Sequence, residues 1–163
     1  MLKGVDPVLT PEMLYALSSM GHGDEVVVAD AHFPAEKIAR RTTHGKLLRA
    51  EGGGSPRVVR AILSVLELDA YIEHPAERMM VDGEPDTLPQ VQREAADELS
   101  RATGRTFTPV ARGEFYERAK DAFCVVVTAE TRGWGCFILT KGVLVTPDEP
   151  ASAGGSTVGE WTP

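Results

Sequence analysis

Two five-residue runs limit what this chain can fold into more than any other feature. Glu25-Val26-Val27-Val28-Ala29 and Cys124-Val125-Val126-Val127-Thr128 are rich in β-branched residues and almost wholly apolar. Such residues suit the pleated strand, and a strand without polar alternation has to be covered on both faces. Helices supply that cover, and four segments read as helices. Thr10-Pro11-Glu12 is a start signal, with Thr10 as N-cap and Pro11 pre-set for the first turn. Met13, Leu14, Leu17 and Met20 follow as one stripe, and Gly21 is a natural stop. Ser55-Pro56 repeats the device ahead of Val58, Val59, Ile62, Leu63 and Leu66. Pro89 to about Ala102 is the third, with Val91, Ala95 and Leu99 inward, and Glu114 to Ala122 the fourth, with Phe115 and Ala119 buried.

Cys136–Thr140 and Val143–Val145 are further strand candidates, and Lys46–Arg49, Arg78–Val81 and Phe107–Val110 weaker ones. Helices interleaved with buried strands predict an α/β fold, a single layered domain with helices packed on a central sheet. The length of 163 residues suits one such core. We assign it to residues 1–146 and treat 147–163, rich in Pro, Gly, Ser and Thr, as a tail outside the core.

Composition narrows the partners. Lys+Arg number 17 against 24 Asp+Glu, a net charge of −7, which argues against nucleic acid and anionic membrane surfaces. No apolar run approaches the ~18 residues of a membrane helix. Met1 to Pro7 holds no signal-peptide core, and two cysteines, Cys124 and Cys136, make no disulfide framework. A cytoplasmic protein is expected.

Several residues invite chemistry. His22 stands between Gly21 and Gly23, where a ligand can approach the bare backbone. Its ordinary pKa near 6.5 suits proton transfer around neutrality, although spacing alone favours a plain turn histidine. Asp30 follows the first strand, and ligand sites of α/β sheets gather beyond carboxyl strand ends. It can accept sugar hydroxyls or cap the next loop. His32 lies in that loop and reads as exposed. Arg112 offers a rigid fork of donors and Tyr116 a hydroxyl that can relay a proton. Trp134, between glycines in Arg132-Gly-Trp-Gly-Cys136, can stack on a sugar face or cover the core edge. Glu51-Gly-Gly-Gly-Ser55 lacks the Lys of a phosphate-binding loop. No HExxH, CxxC or G-x-S-x-G spacing occurs, so neither a metal nor a serine nucleophile is predicted. His44 and His74 read as solvated.

Taken together these residues resemble the L-fucose mutarotase / D-ribose pyranase family. The resemblance is carried by Met20-Gly-His-Gly-Asp-Glu25, Ala29-Asp-Ala-His-Phe-Pro34, Arg49-Ala-Glu-Gly52, Glu114-Phe-Tyr-Glu-Arg-Ala119 and Trp134-Gly through Lys141-Gly-Val143. It covers roughly residues 1–145 and is nearer the fucose branch. It implies a ribose-pyranase-like fold and anomer interconversion of a free monosaccharide without cofactor. His22 is then the proton donor and Tyr116 lies near the reacting centre. Asp30, Arg112, Trp134, Gly135 and Cys136 fall where the family holds the sugar. Trp134 and Cys136 stand where the fucose branch usually shows Tyr and Asn, so a hydroxyl and an amide are missing. Glu51 where Asp is common is a milder change.

The family also implies a homo-oligomer, often a ring-shaped decamer with sites between subunits. The chain itself points the same way. At ~3.3 Å per residue, the strand between His22 and Asp30 holds them some ~16 Å apart. The sugar is therefore expected to take His22 from one subunit and Asp30 from its neighbour. A D-ribose pyranase and a non-catalytic sugar-binding accessory protein are the alternatives.

Overall fold

In the computed structural model, which describes residues 2–144, the first apolar run is strand β1 (Glu25–Ala29), its last four residues buried. The second is β5 (Cys124–Thr128), which pairs with it in parallel, Val27 opposite Val125. The other strands are β2 (Leu48–Ala50), β3 (Ala76–Met79), β4 (Thr108–Val110) and β6 (Phe137–Thr140). They form a six-stranded sheet in the order β2-β5-β1-β6-β3-β4. Only β6 runs against its neighbours, β1 and β3. The fold is thus the expected α/β arrangement of helices on a central sheet.

Side chains along β1 alternate between two cores, as the two-residue period of a strand requires. Val26 and Val28 face Met13, Leu17, Val58, Ile62, Leu99, Phe137 and Leu139. Val27 and Ala29 face Phe33, Ile38, Phe115, Ala119 and Ile138. Helices α1 (Pro11–Ser19), α3 (Ser55–Leu63) and α4 (Gln90–Thr103) supply the first layer; α2 (Ala35–Ala39) and α5 (Arg112–Asp121) supply the second. The Thr10 side chain caps α1 by accepting from the Met13 N–H at 3.3 Å.

Several boundaries differ from expectation. Helix α2 is a single short turn that was not foreseen. Helix α5 begins at Arg112, two residues ahead of Glu114, so Arg112 belongs to its first turn. Helix α3 stops at Leu63; Leu66 lies past its end, still buried. β3 covers Ala76–Met79 rather than Arg78–Val81, because Glu77 and Arg78 are buried and paired instead of marking a surface. Val143 and Leu144 form no strand: the Gly142 N–H turns to the Glu67 carbonyl, and both side chains are exposed. Cys136 lies just before β6. Val145 and the tail 147–163 lie outside the described residues. Among the described residues no helix is long and apolar enough to cross a membrane.

Candidate active site

The reversed direction of β6 decides what meets at the carboxyl end of β1. Phe137 pairs with Val28, so Trp134-Gly135-Cys136 arrives beside Asp30. Asp30 is buried. Its Oδ2 accepts the Gly135 N–H at 3.1 Å and its Oδ1 the His32 N–H at 3.0 Å. Its own N–H donates to Cys136 Sγ at 3.5 Å. A buried carboxylate held by two backbone donors is fixed in direction and keeps lone pairs for a ligand.

The Trp134 turn is anchored on every side. Trp134 has φ 68°, the one left-handed residue other than glycine among the described residues. That conformation costs roughly 1–2 kcal/mol for an L-residue with a side chain. Its carbonyl accepts from Gln92 Nε2 at 2.9 Å, and the Gly135 carbonyl accepts from Ser55 Oγ at 2.7 Å. A Cβ on Gly135 would lie 3.0 Å from Glu130 Cγ and 3.2 Å from Ser55 Oγ, so the turn packs to the backbone there. Arg132, at the head of the turn, grips buried Glu130 at 2.8 Å and reaches Glu94 on α4 at 2.8 Å. The guanidinium holds the Glu130 carboxyl below its usual range.

Tyr116 projects from α5 and stacks on Phe33, centroids 5.1 Å apart and planes 16° from parallel. Burial pushes its phenol up, with the Cys136 thiol and Asp30 adding and Arg112 opposing, so the hydroxyl stays protonated at neutrality. Arg112 opens α5 and grips Asp82 with both ends of its fork, Nε to Oδ1 at 3.0 Å and Nη2 to Oδ2 at 2.9 Å. Three of its five N–H groups stay free. The Cys136 thiol is buried and turned to Asp30; burial, then the Asp30 carboxylate, keep it protonated and a poor nucleophile.

His22 is not among these groups. It lies at the opposite end of β1, in a turn closed by Asp24, whose side chain accepts the Gly21 N–H at 2.7 Å. Gly23 takes φ 85° there and donates its N–H to the Lys141 carbonyl at 2.8 Å, just past β6. The imidazole Nε2 lies 3.0 Å from Asp69 Oδ2, and Tyr71 meets the ring edge-on at 5.7 Å. Asp69 is buried, whereas the His22 side chain is 49% exposed. Nε2 faces the Asp69 carboxyl, and Nδ1 has no hydrogen-bond partner among the described residues.

The structure therefore groups Asp30, Arg112, Tyr116, Trp134, Gly135 and Cys136 at one sheet end and leaves His22 at the other. Asp69 and Asp82 were missed by sequence reasoning. Asp82-Gly83 is a turn signal but names no partner, and nothing near Asp69 in the chain points to His22. The His32 ring is exposed, and its Nε2 lies 2.8 Å from the Thr131 carbonyl. Two surface clefts, about 550 and 380 Å³, lie beside β2, and neither is lined by Asp30, Arg112, Tyr116 or Trp134. The smaller one is lined by Ala31 and Phe33, which follow Asp30 in the chain.

Comparison with known proteins adds a direct finding. A family model described as the RbsD / FucU transport protein family matches residues 3–144. The chain is 47% identical over 148 residues to the fucose mutarotase of Homo sapiens, spanning 88% of this chain and 94% of that protein. It is 42% identical over 147 residues to the L-fucose mutarotase of Actinobacillus pleuropneumoniae serotype 5b, spanning 88% and 97%. The fucose mutarotase of Streptococcus pneumoniae, solved in complex with L-fucose, superposes with a TM-score of 0.78 at 35% identity, covering 88% of this chain and 100% of that one.

Proposed function

The chain belongs to the RbsD / FucU transport protein family, and from that premise we propose that it is a monosaccharide mutarotase. It interconverts the α and β anomers of L-fucose or a related free sugar. The observation that carries this reading is the pair of half-sites at the two ends of β1. One is a histidine held by a buried carboxylate; the other is a cradle of hydroxyl-binding groups.

Anomer exchange opens a hemiacetal, turns the aldehyde and closes the ring on its other face. In this reading Asp30 accepts sugar hydroxyls with its unused lone pairs, and Arg112 donates from its three free N–H groups. Trp134 lies along the sugar face and Gly135 fixes the turn beneath it. His22, oriented by Asp69 and carrying a proton on both ring nitrogens, gives the one on Nδ1 to the ring oxygen as the C1–O bond breaks. Tyr116, still protonated at neutrality, accepts the anomeric hydroxyl proton on its oxygen as its own proton passes to solvent water, and both transfers reverse on closure. Protons are conserved over the cycle, and no step needs an oxidant or a cofactor.

One copy of the chain cannot supply both half-sites, since β1 separates them by some ~16 Å. A second copy is therefore part of the proposal: His22 and Asp69 of one subunit complete the Asp30 half-site of the next. Tyr71, Val143 and Leu144, exposed on the His22 side at 68%, 44% and 76%, are the apolar groups such a contact would cover. A ring-shaped decamer fits this head-to-tail arrangement, and a cytoplasmic setting belongs to the same reading. A second reading, sugar binding without catalysis, has one observation behind it. The Cys136 sulfur is taken up by the Asp30 N–H at 3.5 Å, where the fucose branch usually shows an amide.

Saturation-transfer NMR at anomeric equilibrium tests both, with L-fucose, D-ribose and further sugars against wild type and His22→Ala. Exchange accelerated for one sugar and reduced ~10²–10⁴-fold in the variant is expected. Acceleration of ring-size exchange in D-ribose alone would make the protein a pyranase. Binding with no exchange would replace the mutarotase reading by the accessory one.

A further inference from the structure

Beneath the Trp134 turn lies a buried polar pair that the reaction does not use. Gln92, in the first turn of α4, is fully buried. Its Nε2 donates to the Met79 carbonyl at 2.7 Å and to the Trp134 carbonyl at 2.9 Å. Its Oε1 accepts from Arg78 Nη1 at 3.0 Å. Arg78, on β3 and 4% exposed, donates from Nη2 to the Pro85 carbonyl at 2.5 Å.

Placing an amide and a guanidinium in this layer is a poor way to gain stability. Both lose hydration, and well-packed apolar residues often serve a core equally well. What the pair touches gives it a purpose. Met79 ends β3, Pro85 belongs to the loop that carries Asp82, and Trp134 is the strained residue of the turn. Asp82 grips Arg112, and the N–H after Trp134 binds Asp30. Two side chains thus fix the relative places of the Trp134 turn and the Arg112 rim, which no covalent path joins directly. Only an amide fits at 92. Leucine or methionine cannot donate, and a glutamate would set carboxylate oxygens against two carbonyls.

We propose that Gln92, backed by Arg78, is a positioning residue that aligns the Trp134 turn with the Asp82–Arg112 rim for sugar binding. The inference rests on the mutarotase reading. Looser alignment weakens the grip on the sugar while leaving His22 and Tyr116 in place, so the loss falls on KM rather than kcat.

The test uses the full chain and its assembly, by NMR exchange on whichever sugar wild type accelerates, beside thermal midpoints. Gln92→Met keeps the volume and removes the amide. Arg78→Lys keeps the charge and removes the fork. Leu99→Ala, a fully buried position on the same helix, reports what lost stability alone does. Expected are a KM raised about tenfold in Gln92→Met with kcat changed less than about threefold, and a smaller rise in Arg78→Lys. Leu99→Ala should lower the midpoint and leave KM alone. Should Gln92→Met fail to fold, Arg78→Lys carries the comparison. KM within twofold of wild type in the folded variants, or an equal KM shift in Leu99→Ala, overturns the proposal. Trp134 fluorescence in a Trp161→Phe background reads L-fucose binding directly. A wild type that binds without exchange therefore discredits the mutarotase step and still tests the alignment through Kd. A wild type that neither binds nor exchanges removes both.

Discussion

At Gly142 the chain has no room for even a methyl group. A Cβ there would lie 2.4 Å from the Leu68 carbonyl oxygen and 2.7 Å from the Asp69 Cα, both backbone atoms that cannot swing aside. Gly142→Ala should push the 67–69 segment off β6 and draw Asp69 from His22. The expected cost is about 1–3 kcal/mol by urea denaturation, together with slower anomer exchange. Glu130 supports a pH prediction. Its folded pKa lies below the ordinary 4.5, chiefly through the hydrogen bonds from Arg132. The stability this lends is complete above 4.5 and is lost as pH falls through the lower folded value. Glu130→Gln should be about 2 kcal/mol less stable than wild type at pH 7, and the two stability curves should converge as pH falls below 4.5. At this scale the sequence was only partly readable. His22, Asp30, Arg112, Tyr116 and Trp134 stand in recognisable local patterns. Asp69 meets His22 across 47 positions, through a register that no local pattern encodes.

Among the elements, β1 and β5 were legible because a run of valines has few other uses. Helix α2 was not, since five residues carry too little periodicity. β3 was misplaced by two residues for a physical reason: its Glu77 and Arg78 look like surface and are core. Arg118 of α5 bonds Glu77 on β3 at 2.6 Å and also grips Glu25 on β1. That clamp pins the helix carrying Arg112 and Tyr116 across three strands. Arg118→Ala leaves two poorly hydrated carboxylates facing each other and should cost about 3 kcal/mol. Chemical denaturation measures the loss. Exchange should fall further than stability requires, because Tyr116 rides on the same helix.

For the molecule as a whole, the separated half-sites predict complementation. A His22→Ala chain keeps Asp30, and an Asp30→Asn chain keeps His22. Each is expected to be inactive alone. Unfolded together and reassembled at random, equal amounts should form both intact half-sites at about one interface in four, restoring about a quarter of wild-type exchange. No recovery in assemblies shown by native mass spectrometry to be mixed would put each site within one chain. The layered α/β plan could be read from helix and strand order. Which half-site faces which could not, because strand direction comes from pairing and β6 is the exception to the rest of the sheet.

That exception has a consequence for how such a protein can change over time. β6 is four residues long, with the sugar cradle leading into it and the Lys141–Gly142 buttress of the histidine leading out. In the proposed ring the two ends of this strand would serve different sugars, one on either side of the subunit. An insertion in β6 would misplace the floor of one site and the acid of its neighbour together, and no single compensating change could mend both. Innovation is left to the loops at the rim, around Asp82 and Trp134, where a new side chain alters one site's appetite and leaves the next untouched.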